Sequence, residues 1–203
     1  MTASVPQQAQ PDIGTSPWSP FRIRVFRYVW FATLISNIGS WMHEVGAGWL
    51  MAMLSTSPIM VALVQTATTM PVFLLAIPAG ALADIFDRRL YLITALLWMM
   101  FIAFVLGILT IIGITNEWIL VVLTFALGIG TAMMMPALAS ITPELVPRPE
   151  LHKAVALNAM GINLSRAIGP ACAGVIIAAA GSGAVFLINA VSFLIVVIVL
   201  WRP

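Results

Sequence analysis

The chain has 203 residues, of which 62% are hydrophobic and only 8% charged, with a formal net charge of +2. Too few polar side chains remain to cover a water-soluble globule of this size, so the solvent is lipid and a soluble enzyme or nucleic-acid-binding domain is excluded. A bilayer core about 30 Å thick needs roughly 20 apolar residues per helix, and several runs of that length are present.

Met1 to Pro20 are rich in Pro, Gln and Ser and lack the basic start and apolar stretch of a signal peptide, so residues 1–27 are expected to form a disordered cytoplasmic tail. Six spans follow, at 28–54, 57–83, 90–112, 118–141, 154–180 and 184–201. The breaks at 55–58, 115–117 and 181–183 carry no Lys or Arg. Arg22, Arg24, Arg27, Arg88, Arg89, Arg148, Lys153 and Arg202 all fall on the other side. The positive-inside rule makes that side cytoplasmic, with both termini inside a multi-pass protein of the plasma (inner) membrane. Cys172 is the single cysteine, which excludes an intrachain disulfide.

In the first span, Asn37, Trp41, Glu44 and Gly48 follow a spacing of four, three and four, which places them on one helix face. Gln65 and Thr69 share a face of the second span, and Thr124, Gly128 and Thr131 one of the fourth. These residues could wall a sparsely polar cavity suited to an amphipathic small molecule. His43, Glu44 and Arg166 lie well inside spans, where ionisable groups are expensive and mark pathways or partners. Glu44 is expected to be a protonatable coupling residue, and Arg166 either to balance it or to meet an anionic substrate; a static buried ion pair is the structural alternative. His43-Glu44 opens like a zinc-protease helix, but the second His would fall at Ala47, so no metal site is expected. No P-loop, dinucleotide fingerprint or nucleophile elbow appears, and neither enzymatic activity nor a cofactor is expected.

After the second span, Gly80-Ala81-Leu82-Ala83-Asp84-Ile85-Phe86-Asp87-Arg88-Arg89 resembles the signature loop between the second and third helices of the major facilitator superfamily. Ile85 stands where a basic residue is usual, and Asp87 where a glycine is usual. In this reading Gly80 permits close helix approach, Asp87 is the turn residue, and Asp84 pairs with a helix end or with Arg88 and Arg89. In the fifth span, Ser165-Arg166-Ala167-Ile168-Gly169-Pro170-Ala171-Cys172-Ala173-Gly174 resembles the antiporter-associated motif of the same superfamily. There Ser165, Gly169 and Gly174 would form a close-packing face and Pro170 would bend the helix. The segment from Pro136 to Asn158 is similar to the subgroup containing enterobactin exporters and macrolide efflux proteins.

The resemblance implies an all-α membrane protein whose six transmembrane helices form the amino-terminal half of a major facilitator fold, built as two inverted three-helix repeats. It implies proton-coupled efflux of a siderophore-like or drug-like molecule by alternating access. The expected partners are the bilayer, the substrate, protons, and either a missing carboxy-terminal half or a parallel homodimer mate. The end at Trp201-Arg202-Pro203 favours a truncated half. A non-transporting scaffold or an inactive half-transporter is the alternative.

Overall fold

A computed structural model describes residues 16–201, and every regular element among them is helical. A short 3-10 turn at Ser19–Arg22 leads into α1 (Arg24–Leu54). Then come α2 (Pro58–Ile85), α3 (Arg88–Ile111), α4 (Glu117–Leu145), a second 3-10 turn (Arg148–Glu150) and α5 (Leu151–Trp201). The polar breaks end the helices for identifiable reasons. Pro58 opens α2 at a position whose N–H would have no intrahelical partner. Asn116 caps α4 by accepting from the Ile119 N–H at 2.9 Å. Gly113, with φ 75°, takes the left-handed turn that lets the chain leave α3.

The expected count of six helices is not what the backbone displays: five α-helices are present among the described residues. The regions 154–180 and 184–201 belong to one 51-residue element, α5, in which Gly181 alone departs from helical dihedrals, at φ 78° and ψ 172°. Such a conformation is accessible to glycine and strained for other residues. Its effect is a reversal of direction, visible in the neighbours on either side. Before Gly181, rising residue numbers meet rising numbers on α1. Trp30 Nε1 donates to Leu157 O at 3.0 Å, Ser165 Oγ to Leu34 O at 3.3 Å, and Gly169 lies against Ile38 and Trp41. After Gly181 the order inverts, with Gly46 on Val185 and Phe186, and Gly39 on Asn189 and Ser192. The two arms of α5 therefore run parallel and antiparallel to α1.

By length and composition, α2, α3, α4 and the stretch Arg148–Trp201 could each cross a membrane. α1 is not among them, because Arg24, Arg27, Asn37, His43 and Glu44 dilute its apolarity. At ~1.5 Å rise per residue its 31 residues still exceed the thickness of a hydrocarbon core.

In lipid, apolar burial gives helices little reason to associate, so close packing of small residues and interhelical hydrogen bonds must hold them. Gly128 of α4 rests on α2: a Cβ there would stand 2.9 Å from Pro71 Cγ and 3.0 Å from the Ala67 carbonyl oxygen. α4 meets α3 through Trp98 Nε1, which donates to Ala126 O at 2.7 Å. Two apolar clusters fill the interior. One, near the end carrying Arg88, includes Leu92, Leu96, Met99 and Phe193; the other, toward the opposite end, includes Ala47, Met51, Leu106, Leu120 and Phe186. Phe73 and Ile77 of α2 remain more than four-fifths exposed, a surface that only lipid or another polypeptide can cover.

The expected disordered tail, residues 1–27, includes a segment that the structure describes as ordered. Residues 1–15 lie outside the described region, but Ser19–Arg22 and the first turn of α1, joined through extended Ile23, are ordered and docked. Phe21 sits in an aromatic group with Phe26, Trp30 and Phe31. The Ser19 hydroxyl donates to the Glu150 carboxylate and accepts from Lys153 Nζ at 3.0 Å, and Lys153 pairs with Glu150 at 3.3 Å. The segment thus straps the start of α1 to the start of α5. Ser19 chiefly, helped by Lys153 and opposed by desolvation, holds the Glu150 carboxyl below its ordinary 4.5. A depressed carboxyl stabilises the docked state fully above that ordinary value and loses the effect as pH falls through the folded one. A spin label at position 17 is therefore expected to gain mobility as the solution is acidified below 4.5. In Ser19→Ala the gain should begin at higher pH. Mobility that does not change on acidification would contradict the link.

Candidate functional site

Between α2 and α3 the charged loop is arranged by helix ends. Asp87 is not a left-handed turn residue, as its substitution for glycine implied. With φ −56° and ψ 116° it is the N-cap of α3, and its carboxylate accepts from the Leu90 N–H at 2.8 Å. Arg88 reaches Glu144 near the end of α4 at 2.7 Å. Arg89 Nε donates to Leu200 O at the end of α5 at 2.6 Å. The loop thereby ties three helix ends at one face of the bundle, around a cleft of about 550 Å³ that Val25, Phe86 and Leu145 also line. Asp84 is exposed and makes no hydrogen bond or ion pair among the described residues, so its expected pairing with Arg88 and Arg89 is absent from this conformation. Gly80 has nothing within 4 Å of where a Cβ would stand, so the close helix approach expected of it does not occur.

These contacts rank the loop residues by stability. Removing the cap in Asp87→Ala should destabilise by about 0.5–2 kcal/mol. Breaking the solvent-exposed Arg88–Glu144 pair, with side chains 41% and 58% exposed, should change stability by about 0–1 kcal/mol. Thermal unfolding in nanodiscs, followed by tryptophan emission, measures both. A larger loss in Arg88→Ala than in Asp87→Ala would contradict the ranking.

The stripe on α1 meets three helices. Glu44 accepts a hydrogen bond from Gln65 Nε2 of α2 at 2.8 Å. Trp41, about one turn away on the same face, lies under the Arg166 guanidinium of α5, 4.9 Å from ring centroid to carbon. Asn37 lines a cavity of about 60 Å³ between α1, α4 and α5, together with Thr33, Thr142 and Asn158. That volume suits a few water molecules. Thr33 extends the stripe by one further turn, a spacing visible in the sequence but passed over there. Asn158 and Thr142, joined at 3.3 Å, could be found only once α4 and α5 were brought together.

No ion pair joins Glu44 to Arg166 among the described residues; each has a different neighbour. The static buried pair is therefore not the arrangement adopted. Thr69 is exposed and its hydroxyl returns to its own helix, at Gln65 O, while half-buried Thr131 does the same at Leu127 O. Gly128 is a packing contact with α2, and Thr124 is buried in the interior rather than facing the stripe. His43 also leaves the group. Only 3% exposed, it packs against Phe186 with ring centroids 4.5 Å apart and ring planes tilted by 47°, on the inner face of α1. Among the described residues no cluster of His, Cys, Asp or Glu could hold a metal.

Half of the expected packing motif on α5 faces inward. Ser165 is fully buried and donates to both Leu34 O and Gly161 O. Gly169 lies so close to α1 that a Cβ would stand 2.5 Å from Trp41 Cβ and 3.2 Å from the Ile38 carbonyl oxygen. Gly174 has nothing within 4 Å and lies off this face. Pro170 is exposed and helical dihedrals continue through it, while the departure from helical dihedrals within α5 falls at Gly181. The packing stripe is instead Gly161, Ser165, Gly169 and Ala173, spaced by four.

Residues 15–203 match a family model of the major facilitator superfamily described as "Transmembrane secretion effector". An uncharacterised major-facilitator-type transporter of Bacillus subtilis, YfiS, is 30% identical over 168 residues, covering 82% of this chain and 39% of the relative. A staphyloferrin A transporter of Staphylococcus aureus is 28% identical over 181 residues, covering 85% of this chain and 44% of the relative. A macrolide efflux protein A of Streptococcus pyogenes is 27% identical over 151 residues, covering 73% and 36%. The chain thus spans less than half the length of these relatives. With the long apolar helices and the helix-tying loop already described, the match over almost the whole chain means that this multi-pass helical protein belongs to the major facilitator superfamily of membrane transporters.

Proposed function

We propose that the chain is the amino-terminal part of a proton-coupled exporter of small amphipathic molecules, acting by alternating access. The observation that carries this reading is the α1 stripe. Glu44 on Gln65 and Arg166 on Trp41 present opposite charges on one side of the bundle without neutralising each other. Ionisable groups at such depth mark a pathway when they are not consumed by packing. In this reading the two arms of α5 are separate spans, giving six, with both termini on the cytoplasmic side of the plasma membrane. The Arg88 end, rich in basic residues, supports that orientation. The stripe would face a second six-helix half, or a parallel second copy, across a midplane substrate site.

Glu44 is the coupling acid. Its carboxylate can take a proton and release Gln65, or lose it and recover the hydrogen bond, as substrate arrives beside Arg166. Arg166, a permanent cation with an aromatic face beneath it, favours substrates that carry an anionic group next to an apolar body. The names of two relatives, a staphyloferrin A transporter and a macrolide efflux protein A, support a small-molecule substrate. Accumulation assays in cells producing the whole protein test the reading. Expression should lower the intracellular level of at least one carboxylate-bearing siderophore or amphipathic drug, and Glu44→Gln should restore it. Unchanged accumulation across such a panel would favour a membrane scaffold instead.

A further inference from the structure

Five buried polar atoms have no hydrogen-bond partner among the described residues; one, Thr33 Oγ1, belongs to the residue lining the small cavity beside Asn37, and the other four are both ring nitrogens of His43, Thr124 Oγ1 and Asn189 Nδ2. Their residues are 3%, 2% and 0% exposed. Each such group, left unsatisfied, would destabilise the fold by about 1–3 kcal/mol, and in the centre of a membrane bundle bulk solvent cannot supply the bond. A fold that keeps three of these residues together needs a reason.

Their positions are related. One apolar cluster contains Ala47 of α1, Leu120 of α4 and Phe186 of the second α5 arm. His43 lies four residues before Ala47, Thr124 four after Leu120 and Asn189 three after Phe186, so each is one turn away on the same helix face. On all three helices that turn leads toward the end that carries Arg88, since α1 runs away from that end while α4 and the second arm run toward it. Direct contacts agree: the His43 ring packs at a tilt against Phe186, and Asn189 Oδ1 lies 2.8 Å from where a Gly39 Cβ would stand, one turn below His43. Beyond this layer begins the second apolar cluster, with Met99 and Phe193. A polar layer is thus enclosed between two apolar ones.

We propose that His43, Thr124 and Asn189 form a binding site for ordered internal water at the centre of the bundle. The chemistry selects the ligand. The amide nitrogen only donates, the hydroxyl donates and accepts, and a neutral imidazole does one of each at its two nitrogens. A single ligand able to serve all of them must both donate and accept, and water does so with two to four partners. Apart from the His43 imidazole no ionisable group shares the layer: none of the described Asp, Glu, Lys or Arg residues is buried, and neighbouring Glu44 points outward to Gln65. An anion or a metal cation therefore has no matching charge there. The site gives His43 a structural task independent of transport, separate from the α1 stripe.

Hydroxyl-radical footprinting of the protein in lipid nanodiscs tests this, because radiolysis activates bound water in place and marks the side chains beside it. His43 and Phe186 should be oxidised at rates approaching that of exposed Phe86 in the loop between α2 and α3, while Met99, buried and intrinsically easier to oxidise, stays protected. The combined variant His43→Phe, Thr124→Val, Asn189→Leu should lose the labelling at Phe186. Protection of His43 and Phe186 equal to that of Met99 would overturn the proposal, as would labelling at Phe186 that persists in the folded variant.

Discussion

Gly169→Leu is expected to separate α1 from the first arm of α5 and to destabilise the protein more than any surface change. A Cβ at this position would stand 2.5 Å from Trp41 Cβ and 3.2 Å from the Ile38 carbonyl oxygen. The second of these is backbone, which cannot swing aside as a side chain does. Overpacking of this kind typically destabilises by about 1–3 kcal/mol, and more where the helix itself must shift. The displaced residue is Trp41, the platform for Arg166, so transport should fail with stability. Gly174→Leu, five residues on and open to its surroundings, is the matched control and should unfold like the wild type. Thermal unfolding in nanodiscs separates the two, and equal midpoints for both variants would contradict the packing described.

Arg166→Gln should weaken substrates that carry a carboxylate and spare those that do not. A charge-assisted hydrogen bond contributes about 1.5–3 kcal/mol, so KM for anionic substrates should rise about tenfold or more. The side chain is exposed on the bundle surface, makes no hydrogen bond or ion pair among the described residues, and lies over the Trp41 ring. Stability should therefore change little. Uptake measured at several substrate concentrations distinguishes a rise in KM from a loss of folded protein. An equal loss for neutral and anionic substrates would remove Arg166 from the binding face.

Much of this architecture could be read from the sequence because lipid simplifies the problem. Apolar run length sets the helices, polar breaks such as Asn116 mark their ends, and the break at Gly181 marks the reversal inside α5. The α1 stripe was legible for the same reason: residues 37, 41 and 44 share a face whatever packs against it. What remained hidden depended on phase and partner. The small residues of the fifth span are dense enough to suggest close packing, but Gly174 and Gly169 differ by five positions and so cannot share a face. Only the α1 contact shows that Gly161, Ser165, Gly169 and Ala173 are the inward set. Asp87 looked like a turn residue because a glycine is usual there, yet a short polar side chain just before a helix is equally a cap. The docking of residues 19–22 was invisible in a Pro- and Ser-rich segment, since it rests on Glu150 and Lys153, more than a hundred residues away. His43 beside Glu44 suggested a shared role, but adjacent residues on a helix point about 100° apart, and the two face different neighbours.

The central claim, that Glu44 couples protons to substrate movement on the α1 stripe, is tested most directly in proteoliposomes containing the whole protein under an imposed pH gradient. Wild type should accumulate substrate against its gradient. Glu44→Gln should lose gradient-driven accumulation by about tenfold or more, equivalent to at least about 1.4 kcal/mol of driving interaction, while still exchanging substrate when no gradient is applied. Gradient-driven accumulation that survives unchanged in Glu44→Gln would contradict the account.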